Sequence, residues 1–332
     1  MSAIKSNILD DLNEEYYQIS PDILSSFPKF RPPLNLYRLN EDTLQILLYK
    51  KQGERMDKEV QDELAGLCSD GNIFVARSDH KIYSKHISKQ LDLVLVDENL
   101  KEGEIAEVFR YALTERLELF FEQPVKAIWD LLYKDLMVLT EYLWNDKNRV
   151  KALVRRMYTE HSLANHSFNT GVLGLWLFNK VFPGSFNRRV YDKVTIGLFL
   201  HDLGMCKIPA FIRDKAKPLT NDERTKVNMH PLAGSKITLK LGLKFDELQF
   251  CIMQHHERLD GSGYPTKLSG EGVTPLGRIT AVADSYSAMI AKRPYAEAKE
   301  PEQAVTELLA DARRYDKKYV SHLQGAVVNG NW

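Results

Sequence analysis

The sequence predicts a mainly helical protein with a small α+β domain at its N-terminus, and three observations lead there. The chain has 332 residues, the size of about two domains. Residues 1–98 alternate short β-like runs with polar turns. From residue 102 onward apolar residues recur at spacings of three and four, through Val108, Leu113, Leu117, Phe120 and Phe121 and then Ile128, Leu131 and Leu132. That is the period of a helix with one buried face.

Taken in order, residues 44–49 read as a strand. Residues 56–68 have helical spacing and end near Gly71, a helix stop. Residues 73–77 and 81–87, flanking Ser78, Asp79 and His80, read as a hairpin, whose edge is a candidate surface for pairing with a second chain, as a homodimer or a partner contact. The charged stretch 97–104 is the linker candidate, which divides the chain into domains 1–98 and 102–332.

With 44% apolar and 27% charged residues, the composition excludes a disordered or collagen-like chain. Basic and acidic side chains number 45 each, so no global excess points to a nucleic acid polymer. The balance is a cancellation. Residues 1–100 hold 12 basic and 17 acidic side chains, and the remainder 33 and 28. Three cysteines without a close pair suggest neither disulfides nor a thiolate zinc site and fit a reducing compartment. The first residues lack an apolar signal core, and the densest apolar run, 194–200, is far below the roughly 18 residues that span a bilayer. A cytoplasmic, soluble protein is expected.

Six of the nine histidines fall between His161 and His256. His166 opens a segment with a broad apolar face. His201 and Asp202 end the 194–200 run, His230 follows a capping-box pattern of Thr220 and Glu223, and Asp284 sits in an apolar, alanine-rich helical stretch. Burying such groups without partners costs several kcal/mol, so they require hydrogen bonds or cations. Imidazoles and carboxylates without thiolates suit Mn, Fe, Co, Ni or Zn, and five separate segments supplying them suggest more than one ion. His161 is a weaker candidate. No GxSxG, Walker A or GxGxxG motif competes.

The segments FLHDLGMCKIP (199–209), MHPLAG (229–234), HHERLDGSGYP (255–265), AVADSY (281–286) and RPY (293–295) occur in an order and spacing that resembles the HD-GYP family, HD-superfamily phosphodiesterases that hydrolyse cyclic di-GMP. The resemblance covers roughly residues 150–325. It implies an HD-superfamily helix bundle and two divalent metal ions, Fe or Mn. His166, His201, Asp202 and Asp284 would hold one ion, and Asp202 would bridge to a second held by His230, His255 and His256. It further implies hydrolysis of cyclic di-GMP to pGpG or GMP by a metal-bridged hydroxide held through Asp202. Gly263, Tyr264 and Arg293 would contact the substrate, and signalling partners would dock on the GYP surface or the N-terminal domain.

The sequence departs from the family where basic residues usually stand, with Met205 after HD-x-G and Ala296 after RPY. Lys207 is a candidate to compensate, although two positions on it points to another side of a helix. Ser162 replaces the acidic residue that serves some members as ligand for a third ion. Two alternatives therefore stand beside a phosphodiesterase: a weak or inactive regulatory module that keeps the metals, and a hydrolase of another nucleotide.

Overall fold

Strands β1 (Tyr16–Gln18), β2 (Leu36–Asn40), β3 (Gln45–Lys50) and β4 (Ile73–Ala76) form an antiparallel sheet in the order β1-β4-β2-β3. Tyr17 opposes Val75, Tyr37 opposes Phe74 and Arg38 opposes Leu47. Tyr17, Leu36, Ile73 and Val75 are fully buried, so the sheet is held by its apolar residues. Helices α1 (Pro21–Ser26), α2 (Lys58–Ser69) and α3 (His80–Ile87) complete this part. Asp57 caps α2 by accepting a 3.0 Å bond from the Val60 amide.

The computed structural model describes residues 15–332 except 41, 42, 44, 96–98, 295 and 331. The first residue of the strand expected at 44–49, part of the linker candidate 97–104 and the tyrosine of RPY lie outside the described residues.

The hairpin expected at 73–87 is not formed. β4 pairs with β1 and β2 instead, residues Arg77–Asp79 make a single 3₁₀ turn, and 80–87 is the helix α3. Tyr83 and Ile87 are both fully buried at a spacing of four, the helical period. The short run satisfies both periods on paper, and burial decides in favour of the helix. The edge expected of that hairpin therefore does not exist; β1 and β3 are the sheet's edges.

The remainder is helical: α4 (Glu102–Glu122), α5 (Lys126–Asn145), α6 (Val150–Val154), α7 (Leu163–Val181), α8 (Arg188–Leu200), α9 (Ala210–Arg213), α10 (Asn221–Val227), α11 (His230–Lys240), α12 (Asp246–Gln254), α13 (Pro275–Met289), α14 (Pro301–Ala310) and α15 (Lys317–Asn329). The chain divides into two compact units, Met1–Ala112 and Leu113–Trp332.

In the second unit α7 is buried on nearly every side, with Phe168, Val172, Leu173, Leu175 and Leu177 at zero exposure. A helix apolar all round belongs in a core, and each such side chain contributes about 1.5–3 kcal/mol. α13 and α8 pack against α7, and α12 packs against both α8 and α13. Local signals set where these helices begin. Ser162 accepts from the Asn165 amide, Asn187 from Val190 and Thr274 from Gly277. The capping box of Thr220 and Glu223 is present, but its helix, α10, ends at Val227, and His230 opens the next helix.

The 3₁₀ turn Leu203–Lys207 lies against α11 so closely that a Cβ on Gly204 would stand 1.8 Å from the His230 carbonyl oxygen. This approach brings Asp202 and His230 together from segments 28 residues apart in sequence. Gly204→Ala is expected to cost about 3 kcal/mol or more, as overpacking against backbone does, measured as the loss of unfolding free energy in urea.

Candidate metal centre

The ends of helices carry the ionisable residues. His166 is in the first turn of α7, His201 and Asp202 directly follow α8, His230 begins α11, His255 and His256 follow α12, and Asp284 lies within α13. All seven converge. The ligand atoms of Asp202, His230, His255 and His256 lie within 4.8 Å of one another, and so do those of His166, His201 and Asp284. His166 Nε2 is 2.9 Å from Asp284 Oδ1 and 3.7 Å from Asp202 Oδ2; His230 Nε2 is 3.1 Å from Asp202 Oδ1, and His256 Nδ1 is 3.7 Å from Asp284 Oδ2. Asp202 stands between the groups, one oxygen toward His230 and His255 and the other toward His166 and His201.

The outward nitrogens reveal the tautomers. Nδ1 of His201 bonds the Leu198 carbonyl at 2.9 Å, that of His230 the Val227 carbonyl at 2.7 Å, and that of His255 the Cys251 carbonyl at 3.0 Å. A carbonyl only accepts, so each Nδ1 carries the proton, and the ring in its neutral form presents a lone pair at Nε2. His230 and His255 present theirs 2.9 Å apart. Two facing lone pairs repel unless a proton or a cation lies between them. His201 Nε2, His166 Nδ1 and Asp202 Oδ1 are buried without a hydrogen-bond partner. The donor set, its orientation and these orphaned atoms fit divalent cations.

Electrostatics favour the neutral form at His201 and His256 and the charged form at His230. Burial holds the His201 imidazole down at about 4, and burial followed by the neighbouring His255 holds His256 well below the usual histidine range. Burial disfavours ionised Asp202 and Asp284, yet the rings of His230, His255 and His201 around the first, and of His166, His256 and His255 around the second, hold both carboxyls below the usual range. Burial also opposes a charged His230, but the Asp202 carboxylate outweighs it and raises that ring.

A cavity of about 760 Å³ opens over this cluster, lined by His166, Asp202, His230, His256 and Asp284 together with Tyr264 and Arg293. His161, half-buried, also lines it, and burial, Arg293 and His166 hold its imidazole down at about 4. Tyr264 lies over the His256 ring at 4.7 Å, and burial with the charges of Asp284 and Asp202 pushes its phenol up, so it keeps its proton. Gly263 shapes the loop from beneath, since a Cβ there would meet the Glu257 Cα and the His256 carbonyl at 2.5 Å. Lys207 is exposed and does not line the cavity, so the compensating position expected for it is not what the structure brings to the wall. Met205 and Ala296 do line it, as do Lys217 and Arg224, exposed cations with no carboxylate partner among the described residues.

Sequence reasoning missed Glu257. Its buried carboxylate accepts from the Thr266 amide and hydroxyl, both at 2.7 Å, and from the Leu268 amide at 3.0 Å, and so pins the far side of the loop that carries Tyr264. A carboxylate directly after two histidines and before a glycine-rich turn was the available signal.

Residues 186–319 match the HD domain family. That segment carries His201, Asp202, His230, His255, His256 and Asp284. Over 126 residues it is 38% identical to the cyclic di-GMP phosphodiesterase response regulator RpfG of Xanthomonas campestris, an alignment covering 37% of this chain and 33% of that protein. Cyclic di-GMP phosphodiesterase PdeB of Borreliella burgdorferi is 30% identical over 163 residues, 49% of this chain and 42% of the relative. The 3'3'-cGAMP-specific phosphodiesterase 2 of Vibrio cholerae is 36% identical over 126 residues, 37% and 24% of the two chains. The chain thus spans less than half the length of these curated relatives. Bd1817, a HDG"Y"P protein from Bdellovibrio bacteriovorus, shares the fold with a TM-score of 0.61 at 16% identity, over 95% of this chain and 100% of that one. Among the described residues no helix is long and apolar enough to cross a membrane.

Two outcomes follow for the second unit. Between about 6.5, the ordinary histidine value, and about 4, where His201 and His161 are held, the unfolded chain binds protons that the native state does not. The depressed carboxyls add the same sign, their contribution being lost as pH falls below about 3.9, while raised His230 alone runs the other way. Chelator-treated protein should therefore melt about 5 °C or more lower at pH 5 than at pH 7 in calorimetry. Glu257→Gln should accelerate amide hydrogen exchange at Thr266 and Leu268 by about 10- to 100-fold, the range for losing a charge-assisted bond.

Proposed function

We propose that this protein is a metal-dependent phosphodiesterase that hydrolyses cyclic di-GMP to pGpG or GMP. The observation that carries the proposal is the set of three imidazoles whose Nδ1 protons are given to backbone carbonyls, leaving Nε2 lone pairs turned toward two carboxylates at the floor of a cavity. The relatives named as cyclic di-GMP and cyclic GMP-AMP phosphodiesterases support the substrate class.

In this reading His166, His201, Asp202 and Asp284 hold one ion, and Asp202, His230, His255 and His256 hold the other. Nitrogen and oxygen donors of this kind suit Fe or Mn. Two bound divalent ions supply Lewis acidity toward a phosphate oxygen and an acidified water at neutral pH. The chain's own residues do the rest. The carbonyl bonds hold each proton on Nδ1 and aim the rings, and the buried walls keep bulk water from the ligand atoms. Tyr264 offers its phenolic proton to the substrate, with Gly263 setting the loop height, and Arg293 faces a nonbridging phosphate oxygen. The free cysteines fit action in the reducing cytoplasm. Residues 1–98 serve as the sensory or interaction domain, through which a signalling partner or a second copy of the chain acts.

A second reading, a regulatory module that binds metals and nucleotide without turnover, is favoured by Met205 and Ala296 in the cavity wall, where uncharged side chains replace two cations. Loss of one preorganised electrostatic contact costs about 100- to 1000-fold in rate. Hydrolysis of cyclic di-GMP by Mn- or Fe-loaded protein, followed chromatographically with metal content measured on the same sample, separates the two. Turnover is expected, abolished by chelation and restored by metal; none over long incubation at full metal occupancy selects the regulatory module. Asp202→Ala is expected to lower bound metal below two ions per chain and to cut turnover by at least about 1000-fold.

A further inference from the structure

Arg258 directly follows the His255-His256-Glu257 run and is only 8% exposed. A guanidinium so buried is ordinarily paired with a carboxylate, because desolvating a charge without compensation costs several kcal/mol. Among the described residues none lies within ion-pairing distance of it. Its Nη1 donates to the carbonyls of His255 at 3.0 Å and Glu257 at 2.8 Å, and its Nη2 reaches Ser285 Oγ at only 3.5 Å. Its Nε is buried without a partner, and its plane lies over the Tyr315 ring at 4.7 Å. The two carbonyls and the ring fix the orientation of the head group. They do not neutralise its charge, and they occupy one of its three nitrogens well.

Two hydroxyls stand with it. Ser285 Oγ and Tyr315 Oη are 2.9 Å apart, and both residues are buried, at 8% and 7% exposure. Arg258, Ser285 and Tyr315 all line the cavity that holds the His/Asp cluster, and Ser285 is the chain neighbour of Asp284. The carboxylates of that cluster face histidines within 4 Å. A preoriented, uncompensated cation flanked by two hydroxyls is matched by an anion with several acceptor oxygens, which is the chemistry of a phosphate.

We propose that Arg258, with the hydroxyls of Ser285 and Tyr315, binds the second phosphate of the dinucleotide, the one that is not being cleaved. This rests on the cyclic dinucleotide reading above. It assigns the second charge of the substrate to a cation inside the wall, in a cavity where Met205 and Ala296 leave two wall positions uncharged.

The test uses full-length, metal-loaded protein and the variants Arg258→Met, which keeps an apolar stem over Tyr315, and Ser285→Ala. Equilibrium dissociation constants are measured for cyclic di-GMP and cyclic di-AMP, and steady-state kinetics for cyclic di-GMP and for bis(p-nitrophenyl) phosphate, which has a single phosphodiester. Arg258→Met should weaken both dinucleotides and raise KM for cyclic di-GMP by about 100-fold, and Ser285→Ala by about tenfold. Metal content and kcat/KM on bis(p-nitrophenyl) phosphate should stay within twofold of wild type. Unchanged dinucleotide affinity overturns the proposal. So does an equal loss on both substrates, which makes Arg258 a support of the metal centre, or a loss confined to cyclic di-GMP, which makes it a guanine contact. If Arg258→Met does not fold, Ser285→Ala and Tyr315→Phe are judged by the same criteria. If wild type binds cyclic di-GMP but cleaves neither substrate, the hydrolase reading fails while the binding constants still decide the phosphate site. If wild type binds neither dinucleotide, the phosphate site is overturned.

Discussion

When His201, His230 and His255 give their Nδ1 protons to the carbonyls of Leu198, Val227 and Cys251, each ring loses both its free rotation and its choice of tautomer. What remains is a lone pair held in one direction by a helix end. The centre is thus specified by contacts that point away from it, at the C-terminal end of α8, the start of α11 and the end of α12. Helix ends are where such carbonyls are spare, because the last turn has no intrahelical donor for them. The same economy explains why so many of the ionisable residues sit at termini and so few in the middle of helices.

Asp284 is the exception, and it shows how the centre was legible. Lying within α13 among Ile279, Ala281, Val282 and Ala283, a carboxylate is chemically out of place, and that conflict is visible in the letters alone. His166 in its apolar helix and His201-Asp202 after a run of buried residues carry the same kind of signal. Arg258 does not, since an arginine reads as surface until the fold removes its water and withholds a carboxylate. Ser285 and Tyr315 meet through a packing of α13 against the segment before α15 that no local pattern encodes. The fold followed the same division. Long periodic helices such as α5 and α7 were readable, whereas the short run 80–87 fits two periods, and only the burial of Tyr83 and Ile87 selects the helix.

Charge in the cavity is distributed differently from what the motifs suggest. Met205 and Ala296 bring no charge to the wall and Lys207 does not line it, yet the exposed Lys217 and Arg224 and the buried Arg258 do. An exposed cation is screened by salt within about 10 Å at 0.1 M and mainly steers an approaching anion. A buried one acts on what has already arrived.

The distance along the chain between the members of the centre has a kinetic meaning. His166 and Asp284 touch across 118 residues, and nothing local brings them together; α7 and α13 must first dock. Loop closure of that length costs entropy before it returns any contact, so the ligand set cannot be complete until α7 and α13 have docked. On a ribosome it cannot assemble until α13 has emerged. A cation that needs the whole set is therefore a reporter of long-range packing, bound only by molecules in which α7 and α13 already meet.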